Sequence, residues 1–95
     1  MHVEKKVQDK IIKAFRAAGF YVIKTKPGPG VPVGMLDVLA LKEGCWAVVE
    51  CKAYPDSPWR PLQEKTFKKF EDWSWARVAH SENVDEVCEA IKALA

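Results

Sequence analysis

Over residues 3 to 18 the apolar positions Val3, Val7, Ile11, Ala14, Phe15 and Ala18 recur at helical spacing. Lys5, Lys6, Lys10, Lys13 and Arg16 fall off that stripe, so the pattern predicts an amphipathic helix with a basic outer face, closed by Gly19. The period then shortens. Phe20-Tyr21-Val22-Ile23 is an aromatic and β-branched run that reads as a strand, and the following Lys24 to Pro32 is too rich in proline and glycine for a regular element. Two apolar stretches, Gly34 to Leu41 and Cys45 to Lys52, flank a Lys42-Glu43-Gly44 turn signal and predict an antiparallel hairpin.

Tyr54 to Arg60 carries two prolines with Asp56 and Ser57, and reads as a loop leading into a helix that starts near Pro58 or Pro61 and runs to about Asp72. Trp75 to His80 reads as a last strand. Asn83 with Glu86 forms a capping-box pattern ahead of Val84, Val87, Cys88, Ile91 and Leu94 at helical spacing. The predicted order is αβββαβα, an α/β protein, with no internal repeat and no linker.

The hairpin carries the chemistry. With Glu43-Gly44 as a two-residue turn, Lys42 pairs with Cys45, Leu41 with Trp46, Leu39 with Val48, and Asp37 with Glu50. A four-residue loop keeps this register, whereas a three-residue loop sets Asp37 opposite Val49. Alternation puts Lys52 on the face of Glu50, and points Cys51, Val49 and Ala47 the other way. Opposed carboxylates with Cβ atoms ~5 Å apart repel unless a cation sits between them. All-oxygen ligation favours Mg²⁺ or Mn²⁺, which one or two carboxylates can hold while water and phosphate complete the shell. Asp37, Glu50 and Lys52 are thus a candidate phosphodiesterase site. A charged strand end beside an acidic turn is the bland alternative.

Glu4 is in register with Val7, Ile11 and Phe15, either as a third carboxylate for the metal or as an acid at the positive end of a helix. Gln63 shares a face with Phe67 and Phe70, and so needs a polar partner, for which Lys52 or a metal-site water would serve. Lys24 and Lys26 beside the Pro/Gly loop, Arg60, and Lys65, Lys68 and Lys69 on the second helix are candidates for DNA phosphates. Trp46 is expected in the core, alternating inward with Val48, while Trp59 in its proline-rich loop could stack on a base. His2 and His80 lack companions at ligand spacing.

Composition narrows the field only slightly. The 95 residues suffice for one domain spanning 1–95, and 48% hydrophobic with 29% charged residues is ordinary for a soluble protein. The formal charge of +2 neither requires nor excludes nucleic acid. Cys45, Cys51 and Cys88 are odd in number and lack Cys-x-x-Cys spacing, so they are expected as buried thiols in a reducing, cytoplasmic setting. No membrane-spanning run and no signal peptide are evident in the sequence.

Taken in order, Glu4, Gly34-Met35-Leu36-Asp37, Val49-Glu50-Cys51-Lys52 and Gln63 resemble the virus-type replication-repair nuclease (VRR-NUC) domain, a branch of the PD-(D/E)xK nuclease superfamily. The resemblance spans nearly the whole chain. It implies a restriction-endonuclease-like αβββαβ core, a small mixed sheet flanked by helices, and metal-dependent hydrolysis of DNA. Residue by residue, Asp37 and Glu50 would bind Mg²⁺ or Mn²⁺, the main-chain carbonyl of Cys51 would add a ligand, Lys52 would assist catalysis, and Glu4 and Gln63 would complete the site. Leu36 stands where the superfamily's name has proline. Stand-alone viral or bacterial members of this size imply a homodimer that resolves four-way junctions in a bacterial host, encoded by phage or prophage. Neither a membrane nor a nucleotide cofactor is expected. A single-site flap endonuclease or nickase, and a catalytically idle DNA-binding module, remain the alternatives.

Overall fold

The computed structural model describes residues 3–26 and 28–94; His2 and Pro27 lie outside the described residues. In chain order the elements are α1 (Val3–Ala17), β1 (Tyr21–Lys24), β2 (Val38–Lys42), β3 (Cys45–Cys51), α2 (Pro61–Trp73), β4 (Trp75–Ala79) and α3 (Val84–Lys92). The predicted order is therefore the observed one. The strands form one mixed sheet in the order β1-β2-β3-β4, antiparallel except for the β3–β4 pair. A parallel neighbour needs a crossover, and α2 supplies it.

α1 and α3 pack side by side on one face of the sheet. Val7, Ile11 and Phe15 of α1 and Val84, Val87 and Ile91 of α3 meet Val38, Ala40, Ala47, Val49, Cys51 and Ala79 in the larger core. The smaller core lies on the opposite face, where Phe67 and Phe70 of α2, with Trp59, cover Leu36, Leu39, Val48 and Ala76. Because both faces of β3 are covered, Ala47 to Cys51 is buried without alternation.

Helix α2 has 13 residues, a length of about 20 Å, and packs chiefly against β4, its Phe67 and Phe70 reaching across to Val48 of β3 and Leu39 of β2. The part of that sheet face formed by β1 and the start of β3 is left open, with Tyr21 at 72%, Ile23 at 38% and Trp46 at 62% exposure. Trp46 is thus not a core residue, although it shares the face of Val48, because it stands at the start of β3 beyond the end of the helical cover. Two further expectations change. Cys45 and Cys88 are half-buried, and only Cys51 is fully enclosed. The Asn83 side chain does not cap α3. Instead its Oδ1 accepts the His80 N–H at 2.7 Å and its Nδ2 donates to the Val78 carbonyl at 2.9 Å, binding the β4–α3 turn.

The observed hairpin register is the two-residue-turn register, with Lys42 opposite Cys45, Leu41 opposite Trp46 and Leu39 opposite Val48. Gly44, the second residue of the turn, takes a positive φ of 76°, which glycine adopts without steric cost. Strand β2 begins only at Val38, later than the apolar run from Gly34 suggested. The chain ahead of it is nonetheless anchored, because Thr25 N–H donates to the Asp37 carbonyl at 3.0 Å and the Thr25 hydroxyl donates to the Leu36 carbonyl. Leu36, fully buried beneath α2, holds the same segment from below. No helix among the described residues is long and apolar enough to cross a membrane.

Candidate active site

Asp37 precedes β2 by one residue and Glu50 is the penultimate residue of β3, so extending the register by one pair sets them opposite each other. The Asp37 main-chain N–H donates to Glu50 Oε1 at 3.3 Å, and the Cys51 N–H donates to Asp37 Oδ2 at 2.9 Å. Each carboxylate is thereby tied to the backbone of the opposing strand.

Lys52 completes the group from the same face. Its Nζ lies 3.1 Å from Glu50 Oε2, donates to the Pro58 carbonyl at 3.0 Å, and lies 3.5 Å from Gln63 Oε1. The Trp59 ring packs beneath this ammonium, with its centroid 4.9 Å from Nζ, and Phe67 supports the ring from α2. Gln63 thus has Lys52 as the polar partner its inward position required, and its Oε1 also accepts the Arg60 N–H at 3.4 Å, as a glutamine at the third position of a helix does. Pro58 and Trp59 were not assigned to the site from sequence. The two prolines of their loop were the available signal, since a stiff loop can hold a carbonyl in place.

Glu50 and Lys52 are only 2% and 7% exposed, so this is a buried ion pair with a large desolvation cost. Burial, and after it the negative charge of Asp37, push the Glu50 carboxyl up to about 7 against the opposing pull of Lys52. The pair of acids therefore carries more negative charge than one lysine offsets. A divalent cation is the natural counter-charge for such a pair.

Main-chain geometry offers a third oxygen. Lys52 N–H donates to the Ala79 carbonyl at 2.8 Å, so Lys52 faces β4, and Cys51 before it must face the β2 side. The N–H and C=O of one strand residue point the same way, which turns the Cys51 carbonyl toward Asp37. Its thiol lies in the larger core, where burial first and then Asp37, Glu50 and Glu4 raise its pKa, so the side chain is no nucleophile.

The remaining candidates separate into those beside the acids and those apart from them. Glu4 is exposed on α1, and among the described residues no group of three or more His, Cys, Asp or Glu side chains gathers to hold a metal. Lys26 and Arg60 line a cavity of about 520 Å³ whose wall also includes Asp37 and Gln63. Lys24 belongs to a separate groove with Asp9, Ile12, Lys13 and Arg16. Lys65 and Lys68 are exposed on α2, and Lys68 pairs with Glu64 at 3.5 Å. Trp59 is committed to Lys52 and Phe67. Comparison with protein-family models and with curated proteins gives no match to this chain.

Proposed function

We propose that this chain is a divalent-metal-dependent endonuclease of branched or otherwise structured DNA, of the VRR-NUC kind. One observation carries the reading above all others: two strand-end carboxylates, Asp37 and Glu50, are each hydrogen-bonded to the backbone of the opposing strand, at Cys51 and Asp37 respectively, with the Lys52 ammonium 3.1 Å from Glu50. Asp37 and Glu50, with the Cys51 carbonyl, would hold Mg²⁺ or Mn²⁺, and this hard oxygen set suits either ion. When bound, the ion supplies Lewis-acid polarisation of the phosphodiester and a water of lowered pKa.

The chain's own residues do the rest. Lys52, fixed by Glu50, Pro58 and Gln63, presents positive charge at the place where negative charge builds on the reacting phosphate. Gln63 and Trp59 position that ammonium and keep its stem dry. Lys26 and Arg60 line the adjoining cavity and would grip neighbouring phosphates. Glu4 would join the site only through a bound ion or its water.

A homodimer that cuts paired strands of a four-way junction belongs to the same proposal, and the open sheet face of Tyr21, Ile23 and Trp46 supports it. By exposure these three side chains offer roughly 400 Å² of apolar surface, enough for the core of an interface that buries ~800 Å² per partner. A cytoplasmic place in a bacterial host, on a phage or prophage gene, is part of this reading too.

The test is incubation of the purified chain with a synthetic four-way junction and a matching linear duplex, in Mg²⁺, in Mn²⁺ and in chelator, beside Glu50→Ala. Metal-dependent cutting of the junction that Glu50→Ala abolishes is the expected result. Cutting of one strand alone would replace the resolvase with a nickase, and binding without cutting in any metal would replace the enzyme with a DNA-binding module.

A further inference from the structure

The cavity beside the carboxylates has features that phosphodiester hydrolysis does not use. It lies between the Pro/Gly loop and the first turn of α2, and its apolar lining includes Val31, Val33, Met35 and Leu62. Val33 is 81% exposed and Leu62 48%, so apolar side chains stand open to water next to a charged site. A slot meant only for the phosphodiester chain would be lined by polar and cationic groups.

Two of the lining residues, Gly34 of the loop and Leu62 of α2, are in close contact. A Cβ built on Gly34 would lie 2.7 Å from Leu62 Cβ and 2.8 Å from the Leu62 carbonyl oxygen, so loop and helix meet there without a gap. The cationic groups in the lining are Lys26 and Arg60, and its one acid is Asp37 of the hydrolytic site. A largely apolar cavity of about 520 Å³, with two cations and a shared wall with the candidate phosphodiesterase centre, has room and lining for an uncharged ring joined to phosphates on both sides.

We infer that this slot receives a single unpaired nucleobase, with its flanking phosphate held by Lys26 and Arg60, while the neighbouring phosphodiester lies at Asp37 and Glu50. The inference rests on the nuclease reading and narrows its substrate to DNA in which a nucleotide is already out of the stack. In an intact duplex the base must be extruded at a cost of a few kcal/mol, whereas at a branch point, bulge or flap much of that cost is absent. The slot is thus a physical source of preference for structure over sequence, because apolar walls grip any base by its face.

The experiment uses branched DNA carrying 2-aminopurine at each position around the branch point in turn, mixed with the full chain in Ca²⁺ in place of Mg²⁺. Binding is followed separately by anisotropy of an end label. No aromatic side chain lines the slot among the described residues, so an inserted 2-aminopurine is unstacked without a quenching ring beside it. A several-fold rise in its fluorescence at one position is expected, and Val33→Asp and Leu62→Glu should each remove it. Both positions are exposed, and circular dichroism checks that the variants fold. Binding with no rise at any position, or a rise untouched by both substitutions, would overturn the slot and leave the nuclease reading standing. No binding to any DNA at low salt would overturn both.

Discussion

Glu50 Oε1 accepts the main-chain N–H of Asp37 across 3.3 Å, so the acid at the end of one strand is held by the backbone of the acid opposite. Neither carboxylate can turn away from the other without giving up a hydrogen bond. Repulsion between them is therefore built into the fold, and the behaviour of Glu50 should reveal it.

Glu50 should make the metal-free protein less stable as pH rises. Its carboxyl is raised from 4.5 to about 7, first by burial and then by Asp37. Below about pH 4.5 it is protonated whether the chain is folded or not, and above about pH 7 it is ionised in both states. Between these limits the folded chain binds the extra proton, and stability falls with increasing pH by on the order of 3 kcal/mol. Thermal melts in chelator from pH 4.5 to 8 should show this fall for the native chain and not for Glu50→Gln. Parallel pH profiles for the two proteins would contradict it.

Removing one member of the buried pair should cost more than removing both. Lys52→Met strands the Glu50 carboxylate at pH 8, for which about 3–5 kcal/mol is typical. The double variant Glu50→Gln, Lys52→Met leaves no unpaired buried charge and should recover a good part of that loss. Denaturant midpoints at pH 8 decide the matter, and a double variant weaker than Lys52→Met alone would show that the pair contributes no such penalty. Both variants should lack nuclease activity.

Gly34 and Gly30 provide a matched comparison, with φ of +86° and +84°. Alanine at Gly30 meets nothing within 4 Å and pays only for the left-handed backbone, about 1 kcal/mol. Alanine at Gly34 collides with the backbone of Leu62 as well, and should cost ~1–3 kcal/mol more and widen the slot. Unfolding midpoints of the two variants test this, with equal losses as the contrary result.

Trp46→Lys should leave the folded monomer within ~0.5 kcal/mol of the native chain, since the side chain is 62% exposed. It should nonetheless abolish self-association, as measured by sedimentation velocity across a concentration series. A native chain that stays monomeric at high concentration would remove the two-site resolvase from the proposal.

Arg60→Ala should weaken binding to junction and duplex alike and lower the slope of log K against log salt by about 1. Lys24→Ala, whose side chain lines the separate groove near Lys13 and Arg16, should change cleavage much less. A larger effect at Lys24 would place the DNA across that groove instead.

Much of this molecule follows from local rules. Helical and alternating periods located each element to within a few residues, and the Glu43-Gly44 turn determined the hairpin register, because a glycine with positive φ admits the two-residue turn. Once the register is known, Asp37 and Glu50 must oppose each other and Lys52 must share their face, since side chains alternate strictly along a strand. Gln63 was likewise legible as an inward polar residue among apolar ones. Other features depended on how far each element reaches. That Trp46 is exposed follows from where α2 lies, since its cover includes Val48 but not the start of β3, and alternation alone cannot tell a covered face from an open one. Asn83 lost its predicted capping role because the His80 and Val78 backbone lay within reach first. The Pro58 carbonyl and Trp59 ring around Lys52, and the apolar slot between loop and helix, join segments distant in sequence. Sequence determined which groups were present and which strand neighbours met; only the packing of helix on sheet decided which of them were buried together, because burial depends on what covers a residue and not on the residue alone.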